Sequence, residues 1–168
     1  MGDKWWEPNL QGRHSVRLRD YDYSQPGAYF VTICTREREC LLGEIISDNM
    51  TLSNMGQVVS ESWLWLGTQH PDIELDQWVV MPNHLHGIIT ISRRGGSRTA
   101  PTKIKPLGRL VGAFKTVSTK QVNELRGTPG VTLWQRNYYE HVIRDEKEMN
   151  RIRQYIKYNP PRLAEDEN

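Results

Sequence analysis

The strongest constraint in this chain is a pair of apolar runs set almost end to end. IELDQWVVM covers Ile73 to Met81, LHGIITI covers Leu85 to Ile91, and Pro82-Asn83 between them supplies turn chemistry. Both runs are short and rich in β-branched residues, so they read as two strands joined by a tight connection.

The flanking segments extend this pattern. YFVTICTR, Tyr29 to Arg36, reads as another strand, and LLGEII, Leu41 to Ile46, is its expected hairpin partner. From Asn54 to Leu66 the period changes: Met55, Val58, Val59, Trp63 and Leu66 fall on one helical face. After Pro106, the residues Leu107, Leu110, Val111, Phe114, Val122 and Leu125 give a second helical stripe, and a short strand is expected around Tyr138 to Ile143. The last helix is the best delimited. Asp145 can cap it with Glu148 three residues on, Met149, Ile152 and Ile156 form its buried stripe, and it ends at Asn159-Pro160-Pro161, where the proline should push Asn159 out of helical geometry. The order β-β-α-β-β-α-β-α predicts an α+β sandwich, an antiparallel sheet covered on one face by helices.

Composition bounds the rest. At 168 residues with 37% apolar content the chain has material for one buried core, so 1–168 reads as a single domain and global disorder is excluded. Residues 1–25 read as an N-terminal arm marked by Trp5 and Trp6, and 93–106 as a basic surface loop rich in Gly, Ser and Pro. No run of about eighteen apolar residues argues for a membrane span, and the first residues lack the sections of a secretion signal. Cys34 and Cys40 form no CxxC, which disfavours a disulfide scaffold or thiolate zinc site and makes a reducing cytoplasm the expected location.

Net charge is only +2, yet positive charge is concentrated from Arg93 to Arg126, opposed there by Glu124 alone, and again at Arg13, Arg17 and Arg19. Such patches favour phosphate-rich partners, although a solvated face would look the same. The candidate nucleic-acid contacts are Arg13, Arg17, Arg19, Arg93, Arg94, Arg109, Lys115 and Lys120; the last three fall largely off the second apolar stripe.

Chemistry concentrates in two places. In His84-Leu85-His86 the imidazoles lie two apart on a strand and so point to one face, a partial site for a divalent metal completed by oxygen ligands. Two structural histidines would fit the same spacing. On the last helix Tyr155 and Asn159 are four residues apart, close to one face; the plainer alternatives are a core-edge tyrosine and a helix terminator. Together these parts describe phosphoryl transfer: a metal polarises a phosphate and Tyr155 attacks it, leaving a covalent phosphotyrosine and a 3′ hydroxyl. A tyrosine, with a pKa near 10, needs activation for this.

YFVTICT, VVMPNHLHGIIT and LWQRNYYEHVIRDEKEMNRIRQYIKYNP, in that order, resemble the IS200-like (Y1) transposases, and most of all their REP-associated tyrosine transposase branch. The match runs from about Arg13 to Pro160. The resemblance implies a ferredoxin-like or RRM-like fold, His84 and His86 as the histidines of an HUH nuclease motif, Tyr155 as nucleophile and Asn159 as the polar residue completing the metal site. It further implies Mg or Mn as metal, single-stranded DNA at the foot of a hairpin as substrate, and no need for ATP. Homodimers that exchange the tyrosine helix and monomers both remain open. Tyr158 is a second candidate tyrosine, which the YI-x-x-N-P alignment disfavours. His141 reads as structural or as a DNA contact. The competing function is an RRM-like module that holds hairpin DNA or RNA without cutting it. A hydrolase with an HxHxH run is disfavoured because Ile88 stands where the third histidine would be.

Overall fold

The computed structural model describes residues 21–23, 25–92 and 105–160. The strands are β1 (Gly27–Cys34), β2 (Gly43–Ile46), β3 (Asn49–Leu52), β4 (Ile73–Met81), β5 (His84–Ile91) and β6 (Tyr139–Ile143); the helices are α1 (Asn54–Gln69), α2 (Leu107–Arg126) and α3 (Glu146–Lys157). Ser53 caps α1, its hydroxyl accepting from the Gly56 amide at 3.1 Å, and Asp145 caps α3 by accepting from the Glu148 amide at 2.8 Å. Left-handed Gly127 (φ 65°) ends α2. Of the stripe expected on α2, Leu125 is exposed, and Asn123 is buried nearby with its side-chain amide on the Val131 carbonyl.

The expected pairing of the 29–36 and 41–46 segments is wrong. β2 instead pairs with β3, a strand the periodicity missed, while β1 lies between β5 and β6. The reason is burial. Six consecutive β1 residues are buried, which requires cover on both faces and favours a central place. β2 alternates half-buried and exposed, and left-handed Ser47 and Asp48 (φ 48° and 62°) turn it back locally onto β3.

The main sheet is antiparallel in the order β4-β5-β1-β6. Taken with α1 and α2, its strands make a β-α-β-β-α-β unit with the ferredoxin-like arrangement. The chain is therefore α+β, as expected. A second expectation fails: both faces of the sheet are covered. Tyr29, Val31, Ile33, Leu85 and Ile89 pack with Val59, Trp63, Leu66, Leu110, Val111 and Phe114 of α1 and α2. Phe30 and Ile88 point the other way and pack with Ile152 and Ile156 of α3. In an antiparallel sheet successive side chains alternate faces, so β1 and β5 serve two cores at once. Tyr21 and Tyr23, within the described part of the 1–25 arm, pack beside Tyr29 with ring centroids 6.4 and 6.0 Å from it.

Gly87 explains how closely α1 approaches. A Cβ there would sit 2.4 Å from Trp63 Cζ2, so only glycine lets the indole pack this closely against β5.

Candidate functional site

The site lies on the α3 side of the sheet, at the end where β4 turns into β5. His84 and His86 project to that face while Leu85 enters the other core. Their Nε2 atoms converge to 3.0 Å, and the residues are 8% and 1% exposed. Each ring is held from behind. His84 Nδ1 is 2.6 Å from Asn83 Oδ1, and His86 Nδ1 is 2.8 Å from Thr32 Oγ1 on β1. Burial pushes the His84 pKa down to about 4, aided by the positive charge of Arg38; burial, and then His84 itself, holds His86 well below its ordinary value. Both rings are therefore neutral, the form that binds metal.

The pair fits a divalent cation. Two nitrogens bound at about 2.0–2.1 Å to one ion, at angles between square and tetrahedral, lie roughly 3 Å apart. Among the described residues no third histidine, cysteine or acid joins them, so further ligands would be amide, phenol, water or phosphate oxygens.

Tyr155 comes to the same place from α3. Its half-buried ring lies 5.3 Å from the His86 ring and 6.2 Å from Phe30, which itself stacks on His86 at 5.4 Å. Tyr158 is 51% exposed, with Lys157 Nζ 5.6 Å from its ring centre. Asn159 is buried one turn after Tyr155. The expectation that Pro160 drives it from helical geometry is not met, because the chain is helical again at Asn159 and Pro160. A proline is tolerated in the first turn of a helical segment, where its missing N–H has no partner to lose.

Two contacts hold α3 across the sheet, and neither was legible beforehand. Arg153 grips Asp76 on β4, and His141 Nε2 on β6 lies 2.7 Å from Glu148 Oε1. His141 thus ties β6 to α3. Thr32, Asn83 and Arg38 were also missed. Arg38 and its neighbour Glu37 have left-handed backbones (φ 56° and 55°), and the Arg38 carbonyl accepts from Asn83 Nδ2 at 3.3 Å. Consecutive positive φ at non-glycine residues is locally strained, and such strain leaves no trace in residue type.

Of the basic candidates, Arg13, Arg17, Arg19, Arg93 and Arg94 lie outside the described residues. Arg109 is exposed, and Lys120 is exposed 3.9 Å from Glu124. Lys115 folds back instead, donating to the carbonyls of Gln135, Arg136 and Asn137 at 2.8, 3.2 and 3.2 Å, and burial brings its pKa down to about 8. Beside it, α2 and residues 127–136 enclose a groove of about 740 Å³ lined by Lys115, Lys120, Trp134 and Arg136. Trp134 pairs with Thr35 and Gln135 donates to the Cys34 carbonyl, so the groove borders the strand end that also carries His84.

Over an alignment 174 positions long, gaps included, that covers 96% of each chain, this protein is 36% identical to an uncharacterized protein of Haemophilus influenzae. The two belong to one family. No family model matches the chain. Among solved structures, that of a REP-associated tyrosine transposase bound to a REP hairpin matches 88% of this chain and 73% of its own, at a TM-score of 0.58 and 23% identity. The chain thus shares its fold with that REP-associated tyrosine transposase. Among the described residues, no helix of this transposase-like fold is long and apolar enough to cross a membrane.

Proposed function

We propose that this protein is a metal-dependent single-strand DNA transposase or endonuclease that cleaves and rejoins DNA near hairpins, with Tyr155 as nucleophile. The observation that carries the reading is the meeting of three side chains from two distant segments: the converging Nε2 atoms of His84 and His86, and the Tyr155 ring 5.3 Å from His86.

His84 and His86 would hold a Mg or Mn ion, with Asn159 the candidate for a further oxygen ligand. Such an ion supplies Lewis-acid polarisation of the scissile phosphate. Tyr155 Oη forms a bond to phosphorus, the P–O3′ bond breaks, and the phenol proton is relayed through water to the 3′ oxygen, which leaves as an alcohol. The 5′-phosphotyrosine retains the bond for rejoining. Arg38, close enough to His84 to depress its pKa, adds positive charge where the phosphate must lie. Lys120 and Arg136 on the adjoining groove offer phosphate contacts for the flanking DNA. Lys115 contributes by holding the 135–137 backbone rather than by gripping phosphate. The hairpin substrate is suggested by the fold relative solved with one.

The test is a denaturing gel of labelled hairpin-bearing single strands incubated with Mn or Mg. A protein-linked band that needs metal and vanishes with Tyr155→Phe is expected. Binding with no adduct, across several hairpins and both metals, overturns the reading in favour of a non-cutting RRM-like module.

A further inference from the structure

The two imidazoles face each other at 3.0 Å, which forces a question about their protons. One nitrogen of a neutral imidazole carries hydrogen and the other a lone pair. For His84 the surrounding bonds decide which. Asn83 Nδ2 donates to the Arg38 carbonyl at 3.3 Å, so Asn83 Oδ1 is the atom that faces His84 Nδ1 at 2.6 Å. An amide oxygen only accepts, so His84 carries its hydrogen on Nδ1 and presents a bare Nε2.

His86 has a different kind of partner. The Thr32 hydroxyl, 2.8 Å from His86 Nδ1 and fully inside the protein, can donate or accept by rotating about one bond. When Thr32 donates to Nδ1, His86 carries its hydrogen on Nε2 and donates it to the bare Nε2 of His84. When Thr32 accepts from Nδ1, both Nε2 lone pairs point at the same spot, an arrangement that is repulsive unless a cation lies between them.

We propose that Asn83 and Thr32 are positioning residues that set the tautomers of the histidine pair. Asn83 holds His84 in one tautomer permanently, and Thr32 allows His86 to change between a metal-free form and a cation-binding form. In that change His86 loses a proton at Nε2 and gains one at Nδ1, so its net charge is constant. Neither role can be filled by an apolar residue of the same shape. A strand position two residues from Phe30, on the face that α3 covers, would otherwise suit valine. The inference rests on the metal site of the proposed function, and its test separates the two.

Nitrogen-15 NMR of the metal-free full chain should show His84 as the Nδ1–H tautomer and His86 as the Nε2–H tautomer. Calorimetric titration with Mn(II) should then give a dissociation constant roughly 10- to 100-fold weaker for Thr32→Val than for the native protein, the usual cost of losing such a supporting contact. Thr32→Ser, which keeps the hydroxyl, should bind within about threefold of native. Asn83→Asp should bind near native while Asn83→Ala weakens. Native affinity in Thr32→Val, with binding lost in His86→Ala, overturns the tautomer role and leaves the metal site standing. No Mn(II) binding by the native chain at millimolar concentration overturns both.

Discussion

Arg153, two residues before Tyr155 on α3, grips both carboxylate oxygens of Asp76 on the edge strand β4: Nε donates to Oδ1 at 2.9 Å and Nη2 to Oδ2 at 2.6 Å. Asp76 lies in the irregularity of β4 between Leu75 and Trp78, where its Oδ1 also accepts from the Gln77 amide. The bulge thus aims a carboxylate at the helix that carries the candidate nucleophile. Arg153→Ala should lower stability by only about 1 kcal/mol, since the pair is partly solvated. Its effect on adduct formation should be larger, at least about tenfold, because small displacements of a nucleophile are costly. Urea denaturation and the adduct gel, run on the same variant, compare the two losses.

Acid should loosen α3 through the same contacts. Arg153 holds the Asp76 carboxyl below its ordinary value. For Glu148, burial acts upward but is outweighed by the Arg144 amide and His141, leaving it lowered too. A carboxyl lowered in the folded state stabilises fully above its unfolded value and loses that contribution as pH falls through its folded one. The contribution of these two carboxyls should therefore hold down to the ordinary values of about 4.5 for Glu148 and 3.8 for Asp76 and then decline, on top of a fall that begins near 6.5 because His84 and His86 are held neutral in the fold. Denaturation midpoints measured from pH 6 to 2 should fall less steeply below about pH 4.5 in an Asp76→Asn, Glu148→Gln double variant, the decline above that pH being set by His84 and His86; an unchanged slope below 4.5 contradicts the assignment.

Tyr155 meets the histidines of its own chain, so the site should work in cis. Mixing Tyr155→Phe protein with His86→Ala protein should restore no adduct formation, whereas exchange of α3 between subunits would restore up to about a quarter of the native yield by random pairing of subunits. Tyr158→Phe, at an exposed ring, should leave the adduct intact.

Gly87→Ala tests how α1 supports the motif strand. With its new Cβ at 2.4 Å from the Trp63 ring, either the indole or β5 must shift. The expected cost is about 1–3 kcal/mol, measured by chemical denaturation. Mn(II) affinity should also fall, because Gly87 adjoins His86.

Much of this protein was legible from residue order alone. Periodicity located α1, α2, α3 and the β4–β5 hairpin because each buries a regular stripe, and Asp145 with Glu148 marked the start of α3 because capping is local chemistry. Strand alternation placed His84 and His86 on one face. What failed was pairing. β2 read as a partner for β1 because nothing local reveals that β1 is buried on both sides, and one covered face was expected because α3 gives no sign of which surface it will cross.

The sequence by itself determined every helix, the strands other than β3, and the pair His84 and His86 with Tyr155 as chemical candidates, since these follow from neighbours within a few residues. Only the tertiary structure decided that Thr32 backs His86, that Asp76 and Glu148 anchor α3, and that the Tyr155 ring, which the motif already favoured over Tyr158, lies beside His86. Thr32 and His86 are partners because β1 and β5 align them in register, and register is settled by the burial of whole strands rather than by any residue alone.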